Sequence, residues 1–212
     1  MKVLRFSTLL LAAAGIAGAQ QWEFGATTGF GFSPSVGASG PLGTTASSGF
    51  QAGPIVGVYV AHDSNKYFGG EIRYAAMEND LQFTAGGSLF NVEALSHALH
   101  YDLVLHTPDR DSKRQLFVAA GGGMRIFRSE GSPSVSAQAG PYGSFPQSQV
   151  VKPMASVGGG VKFVLTHRLL LRTEVRDYIT AFPTELVAPA SGVKFGSVLH
   201  RVVPMVGVSY VY

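Results

Sequence analysis

The groups of this sequence best suited to covalent chemistry are its six histidines and the serines and carboxylates around them. A serine hydrolase needs a hydroxyl within hydrogen-bond reach of a histidine, with a third group orienting that base. The only His-x-Ser grouping is His62-Asp63-Ser64. Asp and Ser are common turn formers, so a chain reversal accounts for it. His97 and His200 fall on the apolar faces of two segments that would not be neighbours in a simple up-and-down arrangement. Cysteine is absent and the histidines lack metal-ligand spacing. Gly121-Gly122-Gly123 and Gly158-Gly159-Gly160 are not followed by Lys-Ser/Thr and do not open a helix, so they do not cradle phosphate. The sequence therefore offers no catalytic, cofactor-binding or metal-binding residue.

A second set of polar residues has a pattern of its own. Glu23, Glu71, Arg73, Asp102, Arg125, Lys162, Arg172, Glu174, Arg176 and Arg201 alternate with Phe, Leu, Val and Tyr along short segments, always opposite the apolar side. Enclosed together, these charges must pair, because an isolated buried charge costs several kcal/mol. A structural charge ladder is expected, rather than a pair of catalytic carboxylates.

The segments that carry these charges read as strands. Eight are expected, at about 22–32, 50–61, 66–76, 95–105, 116–127, 153–165, 169–176 and 199–212. The first shows Trp22, Phe24, Phe30 and Phe32 against Glu23, Gly25, Gly29 and Gly31. In the last, Val202, Pro204, Val206, Val208, Tyr210 and Tyr212 oppose Arg201, Val203, Met205, Gly207, Ser209 and Val211. Phe50 is placed on the outward face of the second strand with Val56, Val58 and Val60. The connections alternate in length: 62–65, 107–115 and 166–167 are short, whereas 33–49, 77–92, 128–151 and 179–195 are long and rich in turn formers. Long and short connections thus segregate to opposite ends.

Composition supports a lipid-facing surface. Charged residues make up only 14% of the chain, against roughly 25% in ordinary soluble domains. Residues 1–19 have a basic head, an apolar middle and small residues before Gln20, and read as a signal peptide. Without Lys2 and Arg5 the formal charge falls from +3 to +1, which removes any case for nucleic-acid binding. The remaining segment, 20–212, reads as one domain. It has no apolar run near the ~20 residues of a membrane helix, so a membrane location requires a closed barrel. The fold expected is all-β: an eight-stranded antiparallel up-and-down transmembrane barrel with short periplasmic turns and long external loops.

The terminal Val208-Ser-Tyr210-Val-Tyr212, the leader and the strand pattern resemble the small eight-stranded outer-membrane β-barrel family of the OmpA and OmpX type. The resemblance spans essentially all of 20–212 and implies several further properties. Val208, Tyr210 and Tyr212 would be the C-terminal signal read by the barrel-insertion machinery. Trp22 would join Tyr210 and Tyr212 in an interfacial aromatic girdle. The protein would be a monomer in outer-membrane lipid with a structural or surface-interaction role and an external ligand that the sequence does not name. Eight strands enclose a space that side chains fill, whereas porin channels need roughly 16–18. Two alternatives belong to other classes: a barrel enzyme that modifies lipid A through His97 or His200, and a soluble lipocalin-like binder of apolar ligands. The binder would be greasy inside and charged outside.

Overall fold

The computed structural model describes residues 21–39, 45–85, 88–107, 113–129, 131, 134–135, 143–186, 188–189, 194–195 and 198–212. The leader assigned to residues 1–19 lies outside them.

Period-two alternation becomes a closed barrel of eight antiparallel strands. They are β1 (Gln21–Gly31), β2 (Gly53–Asp63), β3 (Phe68–Glu78), β4 (Ala94–His106), β5 (Arg114–Ser129), β6 (Ser148–Val164), β7 (Leu169–Ala181) and β8 (Val198–Val211). Each pairs with its sequence neighbours, and β1 closes the ring on β8 with Glu23 opposite Val211 through Gly29 opposite Met205. Beyond the ladder, Phe32 and Val202 exchange two backbone hydrogen bonds of 2.8 and 2.9 Å.

At one end the strands are joined by tight reversals, and two are held by side chains acting on the backbone. Asn65 Oδ1 accepts from the amides of Tyr67 and Phe68, at 2.8 and 3.0 Å. Thr166 Oγ1 accepts from Arg168 and Leu169, at 3.3 and 3.1 Å. These are the local bonds by which Asn and Thr favour turns over continued strand. Trp22 and Tyr212 also lie at this turn end, where the Tyr212 amide donates to the Trp22 carbonyl at 2.9 Å. The Trp22 ring stands 5.7 Å from that of His62.

The opposite end is more ordered than its composition implies. Segments expected as loops contain a second sheet in the order Lys194–Phe195, Val36–Ser39, Thr45–Phe50, Leu81–Ala85, Ser88–Val92. A two-stranded ladder pairs Gly143–Ser144 with Ala188–Pro189. Serine, alanine and glycine predominate in Val36–Ser39 and Thr45–Phe50, whereas Leu81 and Val92 of the neighbouring strands join the apolar cap. The barrel strands also run further than the sequence indicates: β5 extends to Ser129 and β6 begins at Ser148. Phe50 is a correction. It ends a rim strand, not a barrel strand, and is buried rather than outward. There it packs with Leu81, Phe127, Phe145, Phe182 and Leu199 in an apolar cap over the barrel. On the rim, Lys152 Nζ donates to Glu185 Oε1 at 2.7 Å, and this bond holds the Glu185 carboxyl below the usual range.

The barrel's outer surface is apolar along its length. Phe24, Val58, Ile72, Leu103, Val118, Val175 and Val206 are all exposed, and each lies opposite a buried neighbour. An Arg on this face near mid-barrel tests what solvates it. In lipid vesicles Val206→Arg is expected to reduce the unfolding free energy by about 2–4 kcal/mol, with Val206→Leu near neutral, as measured by denaturant titration.

Candidate functional site

The inward residues of the eight strands stack in layers because neighbouring strands place them at matching heights. Nearest the turn end, Lys162 Nζ lies 2.5 Å from Glu23 Oε2. The Tyr59 hydroxyl donates to Glu23 Oε1 at 2.7 Å. Tyr59 reaches this position across Gly25, its cross-strand partner, where a Cβ would stand 2.3 Å from the Tyr59 ring. A cavity of about 220 Å³ opens at this mouth, lined in part by Gln21, Gln115, Lys162 and His167.

The next layer is ionic. Glu71 on β3 lies 2.8 Å from Arg73, 2.5 Å from Arg172 and 3.4 Å from Arg176. Glu174 on β7 lies 2.7 Å from Arg73 and 2.8 Å from Arg172. Asp102 on β4 accepts from Arg176 and pairs with His100 Nδ1 at 3.1 Å. Ser156 accepts from Arg176 at 2.8 Å. The Arg73 and Arg172 guanidinium groups also lie over the Tyr59 ring, at 4.8 and 4.7 Å, and Arg172 lies over Phe117 at 4.2 Å. Side chains from β3, β4 and β7 thus meet across the lumen and fill its middle.

Above this cluster lies an apolar collar of Ile55, Ala75, Met77, Ala98, Met154, Tyr178, Val203 and Met205. Arg125 and Arg201 lie between the collar and the aromatic cap. Arg125 donates to Ser96 Oγ at 3.1 and 2.9 Å and stacks over Phe127 at 4.5 Å. Arg201 donates to Ser33 Oγ and to the carbonyls of Gln51, Gly53 and Glu78.

All ten charged residues selected from the sequence are buried inside the barrel. Eight of them pair with one another, whereas no ion pair joins the guanidinium of Arg125 or Arg201 to a described carboxylate; the Arg201 backbone amide donates to Asp177 Oδ1 at 3.1 Å. Sequence reasoning did not select Phe117 and His106, which are also buried, as is His100, which alternation turns inward with Asp102. Strict alternation places each of them inward, but hydrophobicity alone does not distinguish Phe117 from the outward Phe24.

The outward histidines are bonded to a phenol and a carboxylate, not to a serine or threonine. His97 Nδ1 lies 2.7 Å from the Tyr74 hydroxyl. His200 Nδ1 lies 2.7 Å from Asp177 Oδ2. Around the His200–Asp177 pair, the outward neighbours on β7 and β8 are Ile179, Val198 and Val202, and around His97 they are Leu95, Leu99, Ala76 and Ile126. None carries a hydroxyl. His62 packs on Trp22, and Asp63 faces His106 at 3.0 Å, so the His62-Asp63-Ser64 grouping is not a triad. Among the described residues no group of three His, Cys, Asp or Glu could hold a metal ion.

The location of the charges yields a stability prediction. Glu71 is fully buried and contacts three arginines, so Glu71→Ala strands them and is expected to cost about 3–5 kcal/mol. Glu185→Gln on the exposed rim is expected to cost about 0.2–1 kcal/mol. Denaturant titration of the two variants side by side checks the contrast.

No protein-family model matches the sequence, and no curated protein matches it. Solved structures do share its fold. The outer membrane protein OprG from Pseudomonas aeruginosa superposes with a TM-score of 0.61 at 13% identity, over 91% of this chain and 95% of its own. Neisserial surface protein A superposes with a TM-score of 0.55 at 12% identity, over 90% of this chain and 96% of its own. The chain has the fold of the small eight-stranded outer-membrane β-barrels.

Proposed function

We propose that this protein resides in the bacterial outer membrane, exported by its leader and assembled by the barrel-insertion machinery. It is a monomer with a structural or surface-interaction role and no catalytic activity. The observation that carries this reading is sidedness. The ionised residues are enclosed and Phe, Val, Leu and Ile cover the outside, as a wall solvated by acyl chains requires. A carrier of apolar molecules would need the reverse arrangement, a greasy cup within a charged exterior.

The lumen supports a closed rather than a conducting barrel. Arg73, Arg172 and Arg176 cross it to Glu71, Glu174 and Asp102, and the cap around Phe127 and Phe182 covers the loop end. The groups bonded to the outward histidines are the Tyr74 phenol and the Asp177 carboxylate rather than a serine or threonine, which supports a non-enzymatic role. The rim sheet gives the loop end a paired, low-charge surface suited to contacts outside the cell.

Two measurements test the reading. The protein should remain with membranes through carbonate and high-salt washes and should migrate faster on SDS gels before boiling than after. Release by the washes, with no heat-dependent shift, overturns it. In planar bilayers the wild type should give no steady channel. A persistent open conductance would show that the ionic layer does not seal the barrel.

A further inference from the structure

The buried charges of the barrel do not balance. Among the described residues, the buried set comprises the carboxylates Glu23, Glu71, Asp102 and Glu174 and the cations Arg73, Arg125, Lys162, Arg172, Arg176 and Arg201. The carboxylates are taken by Lys162, Arg73, Arg172 and Arg176. The excess is Arg125 and Arg201, both buried and without an ion pair to any described carboxylate. Among the described residues, the collar below them around Met77 and Val203 is apolar, and so is the cap above them around Phe50 and Phe127. Two like charges enclosed between apolar layers call for a counter-ion.

The same level of the barrel carries donors without acceptors. Ser96 accepts from Arg125 through Nε and Nη2 and donates to Asn79 Oδ1 at 2.8 Å. This chain fixes Arg125 and Asn79 together and leaves Arg125 Nη1 and Asn79 Nδ2 buried with no partner. Tyr178, the cross-strand partner of Arg201, adds a buried hydroxyl that also lacks one. Arg201 is held beside them by the carbonyl of Glu78, the residue before Asn79. Guanidinium and amide N–H groups only donate, and a phenol can donate. A cation is repelled here by the two guanidinium charges, whereas an anion meets unpartnered donors and a positive field.

We propose that this layer, centred on Arg125 Nη1 and Asn79 Nδ2, holds one small anion of the halide class, with Tyr178 as a third donor and Arg201 supplying field. The collar and cap confine the layer, which selects a monatomic ion over an organic acid. The bound anion halves the excess positive charge of the lumen and fastens the cap side of the barrel to its core.

Bromide and chloride serve as probes. Crystals of the full barrel grown in sodium bromide should show an anomalous peak within hydrogen-bond distance of Arg125 Nη1 and Asn79 Nδ2. The unfolding midpoint of the detergent-folded protein should be higher in potassium chloride than in potassium gluconate at equal ionic strength. Arg125→Met should abolish that chloride dependence and should be more stable than wild type in gluconate, where its removal relieves an uncompensated charge. Asn79→Leu keeps the charge and removes one donor, and should weaken the chloride effect if the arginine variant does not fold. Absence of a bromide peak at this level overturns the proposal. So does a wild-type midpoint indifferent to the anion, or an equal chloride effect in the variants.

Discussion

Closure of β1 onto β8 is the constraint on which the rest of this structure depends. A strand at an open edge presents a row of unpaired N–H and C=O groups, and each costs several kcal/mol where no water can reach it. The pairing from Glu23–Val211 to Gly29–Met205, continued at Phe32–Val202, leaves the ring without an edge. Once the ring is closed, alternation has no freedom left. Every second residue must face the enclosed space, and a shift of one residue would turn Arg172, Glu174 and Arg176 outward together.

The enclosed charges follow from that geometry. Eight strands leave an interior that side chains can fill, and in this chain long ionic side chains do most of the filling. The arrangement is stable because each carboxylate is shared. Glu71 meets arginines from its own strand and from β7, and Glu174 meets Arg73 across the barrel. The cluster therefore ties opposite walls together, which a ladder between adjacent strands would not do. Tyr59 and Phe117 contribute by offering ring faces to Arg172, so its guanidinium lies on aromatic surface as well as beside carboxylates.

Much of this was legible in the sequence because the signal has a period of two and the two faces differ sharply in chemistry. Val202 through Tyr212 opposite Arg201 through Val211 identifies both a strand and its orientation. The same reading works for 95–105, where His97, Leu99 and Leu103 turn out and His100 and Asp102 turn in. It fails where side chains carry no contrast. The strands Val36–Ser39 and Thr45–Phe50 consist largely of Ser, Ala, Gly and Thr, and only pairing with distant segments makes them strands. Phe50 was misplaced for a related reason: a large apolar residue next to a strand looks like part of its outer face, and only the tertiary fold shows that it caps the lumen. The cross-barrel contacts of Glu71 are likewise a product of closure, since Arg172 lies 101 positions away in the chain.

The layering gives the two ends of the barrel different characters. At the turn end, Glu23 and Lys162 border an open cavity, so that mouth is polar and reachable. At the loop end, Phe50, Phe127 and Phe182 close over the lumen, and the stacked pair Phe50 and Phe127, 5.5 Å apart, joins a rim strand to a barrel strand. The rim sheet is thus in contact with Phe127, and Phe127 with Arg125 beneath it. The collar of Met77, Met154 and Met205 separates the ionic middle from the cap, and Met205 Sδ accepts from Arg73 Nη1 at 3.9 Å. A barrel built in this way can vary its outer surface while its sealed core keeps one arrangement.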